Sequence, residues 1–546
     1  MQSITTIRNG TTRWFVRSDV AEPFRDLIVD IQSELEARTS ITILKENLAR
    51  TVYRLPFPTD GGDEIILKDY RVRGWDQTLR YMIRPSKARA EWRAMSRLRG
   101  REFPTATPIG YSESRSRGVL TGCSFASVAI PGAYPFPDRF RTGEAAEREA
   151  LIGSLANLVV ALHGRGAYHR DLHVGNVLVS GDRLFLIDLH RAAFPPRLTR
   201  RMRLRDLTKI CHSLTFITDE GDLRRLVHSY AEATGLAGGA DTAFKKIRRG
   251  VSRMERVRIR SRSLRCVKES TGFRRATLPK GVLYHRRRWP EDLLRAAMVS
   301  HQEAAAGGDR LLKASERAQV TRVSTPQGEI ACKEYLYPRW SHLLENLLRT
   351  SPARRAYIAG RGLEELRIPT PEVIGLYEER SLGVVTRSLL FSRFVDGEPV
   401  EIAFKRFNDP ERRDALSPER RVFLREFADA VRRIHDSDVY QPDMAGQNFL
   451  VVEKDGERTF FLVDLDRVRL GERITDLRRR RSLSQIGHMP GTLTRGDRLH
   501  FLRAYAGSDE PFAARETLRL LAEMIDQKAI DQEKRIARIL RKQSGA

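Results

Sequence analysis

Three side chains set the chemical question. Asp171 and Asn176 stand five residues apart in His169-Arg170-Asp171-Leu172-His173-Val174-Gly175-Asn176, and Asp188 follows in Leu186-Ile187-Asp188-Leu189. A loop carboxylate can accept the proton of an attacking hydroxyl, while an amide oxygen and a second carboxylate are hard donors suited to Mg²⁺. Upstream, Lys68 closes the β-branched run Glu64-Ile65-Ile66-Leu67 and can reach phosphate oxygens. Glu91, 23 residues further on, can pair with that lysine and hold its angle. Phosphoryl transfer needs these parts and little covalent work: held phosphates, a metal between them and a hydroxyl placed in line.

The elements that must position these groups follow the same order. Val177-Leu178-Val179, the turn Ser180-Gly181-Asp182 and a second strand form a hairpin that brings Asn176 and Asp188 side by side. Leu151 to His163 repeats its apolar residues at helical spacing, and Ser86 to Arg99 reads as a charged helix carrying Glu91. Short strands first and helices after them predict an α+β unit with a sheet lobe and a helical lobe. Asp206 is open to two readings, a carboxylate at a helix N-terminus or one that holds the loop backbone from below. His173 reads as a hydrogen-bonding loop residue.

The chain repeats this plan. Leu44 to Arg54 parallels Leu312 to Arg322 at an offset of 268, and Leu67-Lys68-Asp69-Tyr70 parallels Cys332-Lys333-Glu334-Tyr335 at 265. The offset of 265 holds through Phe103-Pro104-Thr105 and Ile368-Pro369-Thr370. The loop Phe57 to Gly62 absorbs the three-residue change. With 546 residues, a duplicated domain is expected, residues 1–250 and 251–546.

These motifs resemble the catalytic loop and flanking segments of the lipopolysaccharide kinase (Kdo/WaaP) family, within the protein-kinase-like superfamily. The resemblance is carried by Leu67-Lys68-Asp69-Tyr70, Arg73-Gly74-Trp75, Ser86 to Glu91, Phe103-Pro104-Thr105, the Asp171 loop and Ile187-Asp188-Leu189-His190-Arg191. It implies two tandem protein-kinase-like, two-lobed domains, ATP with Mg²⁺, and a core sugar hydroxyl of lipopolysaccharide, on Kdo or heptose, as acceptor. Protein or small-molecule kinases of the same fold are the alternative acceptor classes. No glycine-rich loop precedes Lys68, so covering the phosphates must rely on side chains or on a less intimate backbone approach. Asp188-Leu189-His190 replaces Asp-Phe-Gly, which removes the phenylalanine switch of regulated protein kinases.

In the second copy, Lys333, Asp443, Asn448 and Asp464 keep the lysine, loop aspartate, asparagine and metal aspartate, a set expected to bind nucleotide and metal. Ala356 stands where Glu91 would, and Gln441-Pro442 replaces His169-Arg170. The expectation is a catalytic first domain and a degenerate second one. A tandem pseudokinase binding nucleotide and an anionic surface is the non-enzymatic alternative.

Lys and Arg number 97 against 70 Asp and Glu, a net charge of +27 with pI near 10.4. Between Lys245 and Arg288 there are 17 basic residues and two acids, Glu255 and Glu269. Such an excess favours an anionic partner: lipopolysaccharide core, another anionic glycolipid or an acidic membrane surface. The absence of helix-turn-helix, RNP-like and zinc-finger patterns argues against nucleic acid. No run of about 18 apolar residues exists. The N-terminus lacks the apolar core of a secretory signal, and the four scattered cysteines predict reduced thiols. The expected location is cytoplasmic, peripheral at the inner face of the inner membrane. Glu516 to Lys542 reads as an amphipathic terminal helix.

Overall fold

Along Glu64–Arg71 the side chains alternate about the strand axis, with Ile65, Leu67 and Tyr70 buried, as a strand covered on both faces requires. In the computed structural model this strand lies inside an antiparallel sheet. The structure describes residues 3–28, 41–47, 49–57, 64–72, 75–307, 311–337, 350–381, 383–407, 417–487, 493–507, 519, 521–526, 530, 534 and 537. The loop expected over Phe57 to Gly62 and the Arg73-Gly74 pair fall almost wholly outside them. The chain divides into two compact units, Met1–Met254 and Glu255–Ala546, and the division falls within the helix Ala240–Ser263.

In the first unit, β1 (Ile4–Asn9), β2 (Thr12–Arg17), β3 (Thr42–Glu46), β4 (Arg50–Pro56), β5 (Glu64–Arg71), β6 (Pro108–Ser116) and β7 (Val119–Val128) form a sheet in the order β1-β2-β6-β7-β5-β4-β3. One face packs Trp14, Val16, Ile65, Leu67 and Ala126 against Phe24 and Leu27 of the helical residues 21–28. The helix Lys87–Arg99 contributes Ala88, Met95 and Leu98 to the other core, alongside Phe125 and Tyr70. Its start is set by Ser86, whose hydroxyl accepts from the Arg89 amide.

The helical lobe is built on Ala145–Gly164. Its Leu151, Ile152, Leu155, Val159 and Leu162 are buried, and it packs against Glu220–Thr234. Between the lobes a small sheet joins β8 (Tyr134–Pro135) to the hairpin of β9 (Val177–Ser180) and β10 (Arg183–Leu186), in the order β10-β9-β8. The Ile187 amide donates to the Asn176 carbonyl at 2.9 Å, so the two ends of that hairpin meet as the sequence predicts.

The second unit repeats the plan. β11 (Phe273–Leu278), β12 (Gly281–Arg286), β13 (Leu311–Ser315), β14 (Ala318–Thr325), β15 (Gly328–Tyr335), β16 (Val373–Ser381) and β17 (Val384–Arg393) take the order β11-β12-β16-β17-β15-β14-β13. β18 (Glu398–Pro399), β19 (Phe449–Lys454) and β20 (Glu457–Leu462) make its small sheet. Register is conserved: Val52 faces Lys68 across β4–β5 as Val320 faces Lys333 across β14–β15. This mixed helix-and-sheet, two-lobed architecture is the fold class expected from the sequence.

Two features differ from the sequence reading or extend it. Each large sheet begins with an extra hairpin, β1–β2 and β11–β12, and the second of these lies inside the basic stretch that composition presents only as charge. Most of the expected terminal helix Glu516 to Lys542 falls outside the described residues, although 521–526 are helical and Leu521 and Ile525 are buried in the second unit.

Candidate active site

Lys68 and Tyr70 are two apart on β5, so both point to the same face of the sheet, toward the helix Lys87–Arg99. Glu91 on that helix is fully buried and takes both: Lys68 Nζ lies 2.5 Å from its Oε1, and Tyr70 OH donates to its Oε2 at 2.7 Å. A carboxylate in that position is held only because both oxygens are satisfied. Burial, together with the neighbouring Glu91 charge, raises the Tyr70 phenol well above its ordinary value, so it remains a donor.

Asp188 sits in a left-handed backbone conformation, with φ 60°, two residues after the end of β10. A non-glycine residue there is strained, and side-chain partners hold it. Its carboxylate accepts from Arg50 Nη1 at 3.0 Å and is tied to His190 Nδ1. Burial alone would raise its pKa. The His190 hydrogen bond and the Lys68 and Arg50 charges overcome that and hold it well below the usual carboxylate range. Glu91, Asp188 and His190 each offer a ligand atom within 4.8 Å of the others.

The loop between the helical lobe and β9 carries the remaining groups. Asn176 donates its Nδ2 to the Asp171 carbonyl at 3.3 Å, which leaves its side-chain oxygen for another partner. Asp171 is more open, its side chain 38% exposed, and its Oδ2 accepts from Arg191 Nη1 at 3.1 Å. Lys209 Nζ stands 3.9 Å from its Oδ1. A hard-oxygen set consisting of an ionised Asp188 and the Asn176 amide oxygen fits Mg²⁺, and Lys68 fits nucleotide phosphates.

Asp206 resolves its two readings in favour of the loop. It is fully buried in mid-helix, in Arg200–Leu214, and accepts from the amides of His169 at 2.8 Å and Arg170 at 3.0 Å. Arg170 is left-handed, φ 66°, so this carboxylate pins a strained turn directly before Asp171. Replacing Asp206 with Ala strands two loop amides. We expect a loss of about 2–4 kcal/mol in stability by chemical denaturation, with turnover down more than tenfold. An Asp206→Ala enzyme of unchanged stability and rate would show that the loop is held by something else.

His169 is buried and its pKa is lowered to about 4, chiefly by desolvation; His435 in the second unit is lowered to about 3 for the same reason. Unfolded, both would titrate near 6.5, so on acidification the unfolded chain takes up protons that the folded one refuses. Stability from these histidines is present above pH 6.5 and is lost as pH falls toward 4. The melting temperature should therefore drop steadily between pH 6.5 and 4.5. A flat profile over that window would contradict the buried neutral state.

In the second unit, Lys333 has no carboxylate at the Glu91 position, which is the buried Ala356, and it pairs instead with Asp464 Oδ1 at 2.5 Å. Glu364 and Glu365, further along the helix Pro352–Glu365, are taken by Arg286, Arg361 and Arg262. Tyr335, the counterpart of Tyr70, keeps a buried hydroxyl with no hydrogen-bond partner among the described residues. Asp464 repeats the left-handed turn, with φ 59°. Asn448 Nδ2 donates to the Asp443 carbonyl at 2.8 Å. The support under the loop is different: Ser482, in the place of Asp206, donates to the Gln441 carbonyl, and Pro442 has no amide to be held. Lys333, Asp443, Asn448, Asp464 and Asp466 line a cleft of about 1790 Å³. Asp466 stands where the first unit has His190, so a second carboxylate replaces an imidazole beside Asp464; burial and the Asp464 charge raise its pKa to about 6.

Sequence reasoning missed Arg50, His190, Lys209 and the third member of the Lys68–Glu91 pair, Tyr70. Tyr70 was within reach, since Tyr335 repeats it two residues after the second lysine. Arg50 lies on β4, far from Asp188 in sequence, and no local pattern announces the pairing.

The family model for the lipopolysaccharide kinase (Kdo/WaaP) family matches residues 67–230 and 313–505, more than half the chain and once in each unit. The lipopolysaccharide core heptose(I) kinase WaaP of Pseudomonas aeruginosa is 26% identical over 169 residues, 28% of this chain. The chain spans 63% of the length of that curated relative. A solved structure described as WaaP in complex with acyl carrier protein aligns at 23% identity over 43% of this chain and 97% of its own, with a TM-score of 0.32. Among the described residues, no helix is long and apolar enough to cross a membrane.

Proposed function

From the premise that this chain belongs to the lipopolysaccharide kinase (Kdo/WaaP) family, we propose that its first unit transfers the γ-phosphoryl group of ATP to a sugar hydroxyl of the lipopolysaccharide core, heptose or Kdo. The observation that carries the reading is the intact Glu91–Lys68 pair facing an ionised Asp188, with the open Asp171 carboxylate on the loop beside Asn176. Lys68 holds the nucleotide phosphates at an angle fixed by Glu91 and Tyr70. Arg50 supplies from a side chain the covering contact that a glycine-rich loop would otherwise make. Asp188 and Asn176 would hold Mg²⁺, which when bound neutralises charge on the phosphates. Asp171 accepts the proton of the acceptor hydroxyl as its oxygen forms the bond to the γ-phosphorus. The bond to the bridging oxygen breaks, and ADP leaves with the electron pair.

The second unit is proposed as an impaired copy that binds nucleotide and metal weakly through Lys333, Asp443, Asn448 and Asp464. Its lysine is engaged by the metal aspartate in place of a glutamate. Exposed Lys245, Lys246, Arg249 and Arg253 on the helix Ala240–Ser263 support a peripheral position on an anionic membrane face on the cytoplasmic side, each adding about 1 kcal/mol near the surface. Co-sedimentation with anionic vesicles, lost at high salt, reads that position.

Labelled ATP offered with core lipopolysaccharide, a generic protein and no acceptor tests the function. Label on the lipopolysaccharide is expected. Label on protein alone would sink the acceptor assignment, and ATP binding without transfer would favour the tandem pseudokinase.

A further inference from the structure

The carboxylate assigned as base is surrounded by more positive charge than it can balance. Arg191 lies 3.1 Å from one Asp171 oxygen and Lys209 3.9 Å from the other. Lys209 shares its helix with Arg205 and Arg201 at four-residue spacing, so the three lie along one face leading to Asp171. Burial lowers the Lys209 pKa; the Asp171 charge opposes this, and the like charges of Arg191 and Arg205 add to it. Among the described residues neither Arg201 nor Arg205 has a carboxylate partner, and both are exposed.

This arrangement is awkward for a lone base. Both Asp171 oxygens face a cation, leaving less of either free for a hydroxyl proton. An anion bound beside the acceptor would draw Arg191 and Lys209 onto itself, release Asp171, and fix the hydroxyl through charge-assisted hydrogen bonds. Building on the kinase reading, we infer that the Arg191–Lys209–Arg205–Arg201 cluster of the first unit recognises an anionic group, phosphate or carboxylate, next to the hydroxyl that is phosphorylated. The acceptor sugar or one bonded to it then carries a negative group; where that group is a phosphate, the reaction that installs it comes first. The second unit has lost part of the device: at the matching offset of 276 it has Arg467 and Arg481, but Leu477 and Gln485 replace Arg201 and Lys209.

The test uses the full chain and core lipopolysaccharide from cells lacking this gene, supplied untreated, dephosphorylated, or with its carboxyl groups reduced. Wild-type enzyme should show a KM raised about tenfold or more on whichever treatment removes the recognised anion, identifying it as phosphate or carboxylate. Arg201→Gln with Arg205→Gln should raise KM for untreated acceptor by a similar factor, with kcat and the KM for ATP held, and should abolish discrimination between acceptors. Equal KM for all three preparations in the wild type would overturn the inference while leaving the kinase reading standing. A double variant that loses turnover on every acceptor at unchanged KM would also overturn it, by assigning these arginines to the chemical step. No transfer to any preparation, with ATP still bound, would sink the kinase reading and this inference with it.

Discussion

Asp171→Asn should lower the turnover number by about 10²–10⁴-fold, while Asp443→Asn leaves most of it. The two positions share an asparagine five residues on and the same amide-to-carbonyl bond closing the loop. They differ in what stands around them. Asp171 sits on a turn pinned by Asp206, in a unit whose phosphate lysine, Lys68, is paired with Glu91. Asp443 sits after a proline, above Ser482, and its lysine is bound to the metal aspartate. Asparagine is isosteric with aspartate and cannot take up the hydroxyl proton, so folding should be unchanged and only the chemical step affected. Steady-state transfer from labelled ATP, with circular dichroism as the folding control, checks the pair. Equal losses in the two single variants would dismiss the catalytic asymmetry.

Glu91→Ala should have the next largest effect, because the second unit is in this respect a natural version of it. Removing the carboxylate leaves the Lys68 ammonium, 7% exposed, and the Tyr70 hydroxyl without their acceptor. Breaking one side of a buried pair costs about 3–5 kcal/mol. The Lys68 charge also acts on Asp188, and the lysine is expected to turn to that carboxylate as Lys333 turns to Asp464. That would place an ammonium where the metal is needed and displace the lysine from the phosphates. Turnover should fall about 100-fold with a raised KM for ATP. Glu91→Gln, which keeps an acceptor for Tyr70, should recover part of the stability but little of the rate. Denaturant midpoints separate the two effects. An Ala variant with wild-type midpoint and wild-type KM for ATP would mean that the pair is dispensable.

Much of this was legible in the chain. The spacing of Asp171, Asn176 and Asp188 and the offset of 265 between Lys68 and Lys333 fix two copies of one scaffold, because strand alternation and hairpin length are local properties that a sequence carries in its periodicity. The same alignment put Ala356 opposite Glu91, so the missing carboxylate needed no coordinates. Where the sequence left Asp206 open, the difficulty was physical. A carboxylate on an arginine-rich helix looks the same whether it faces solvent or a buried loop, and only packing brings it under the amides of His169 and Arg170. The redirection of Lys333 to Asp464, the hold of Arg50 on Asp188 and the cations on both oxygens of Asp171 are likewise contacts between residues far apart in the chain. Which groups are present, in what order and on which elements is already written in the chain. Which carboxylate each cation finds was decided by the tertiary fold, since a charged side chain taken from water must pair with whatever opposite charge the packing leaves within a few ångströms.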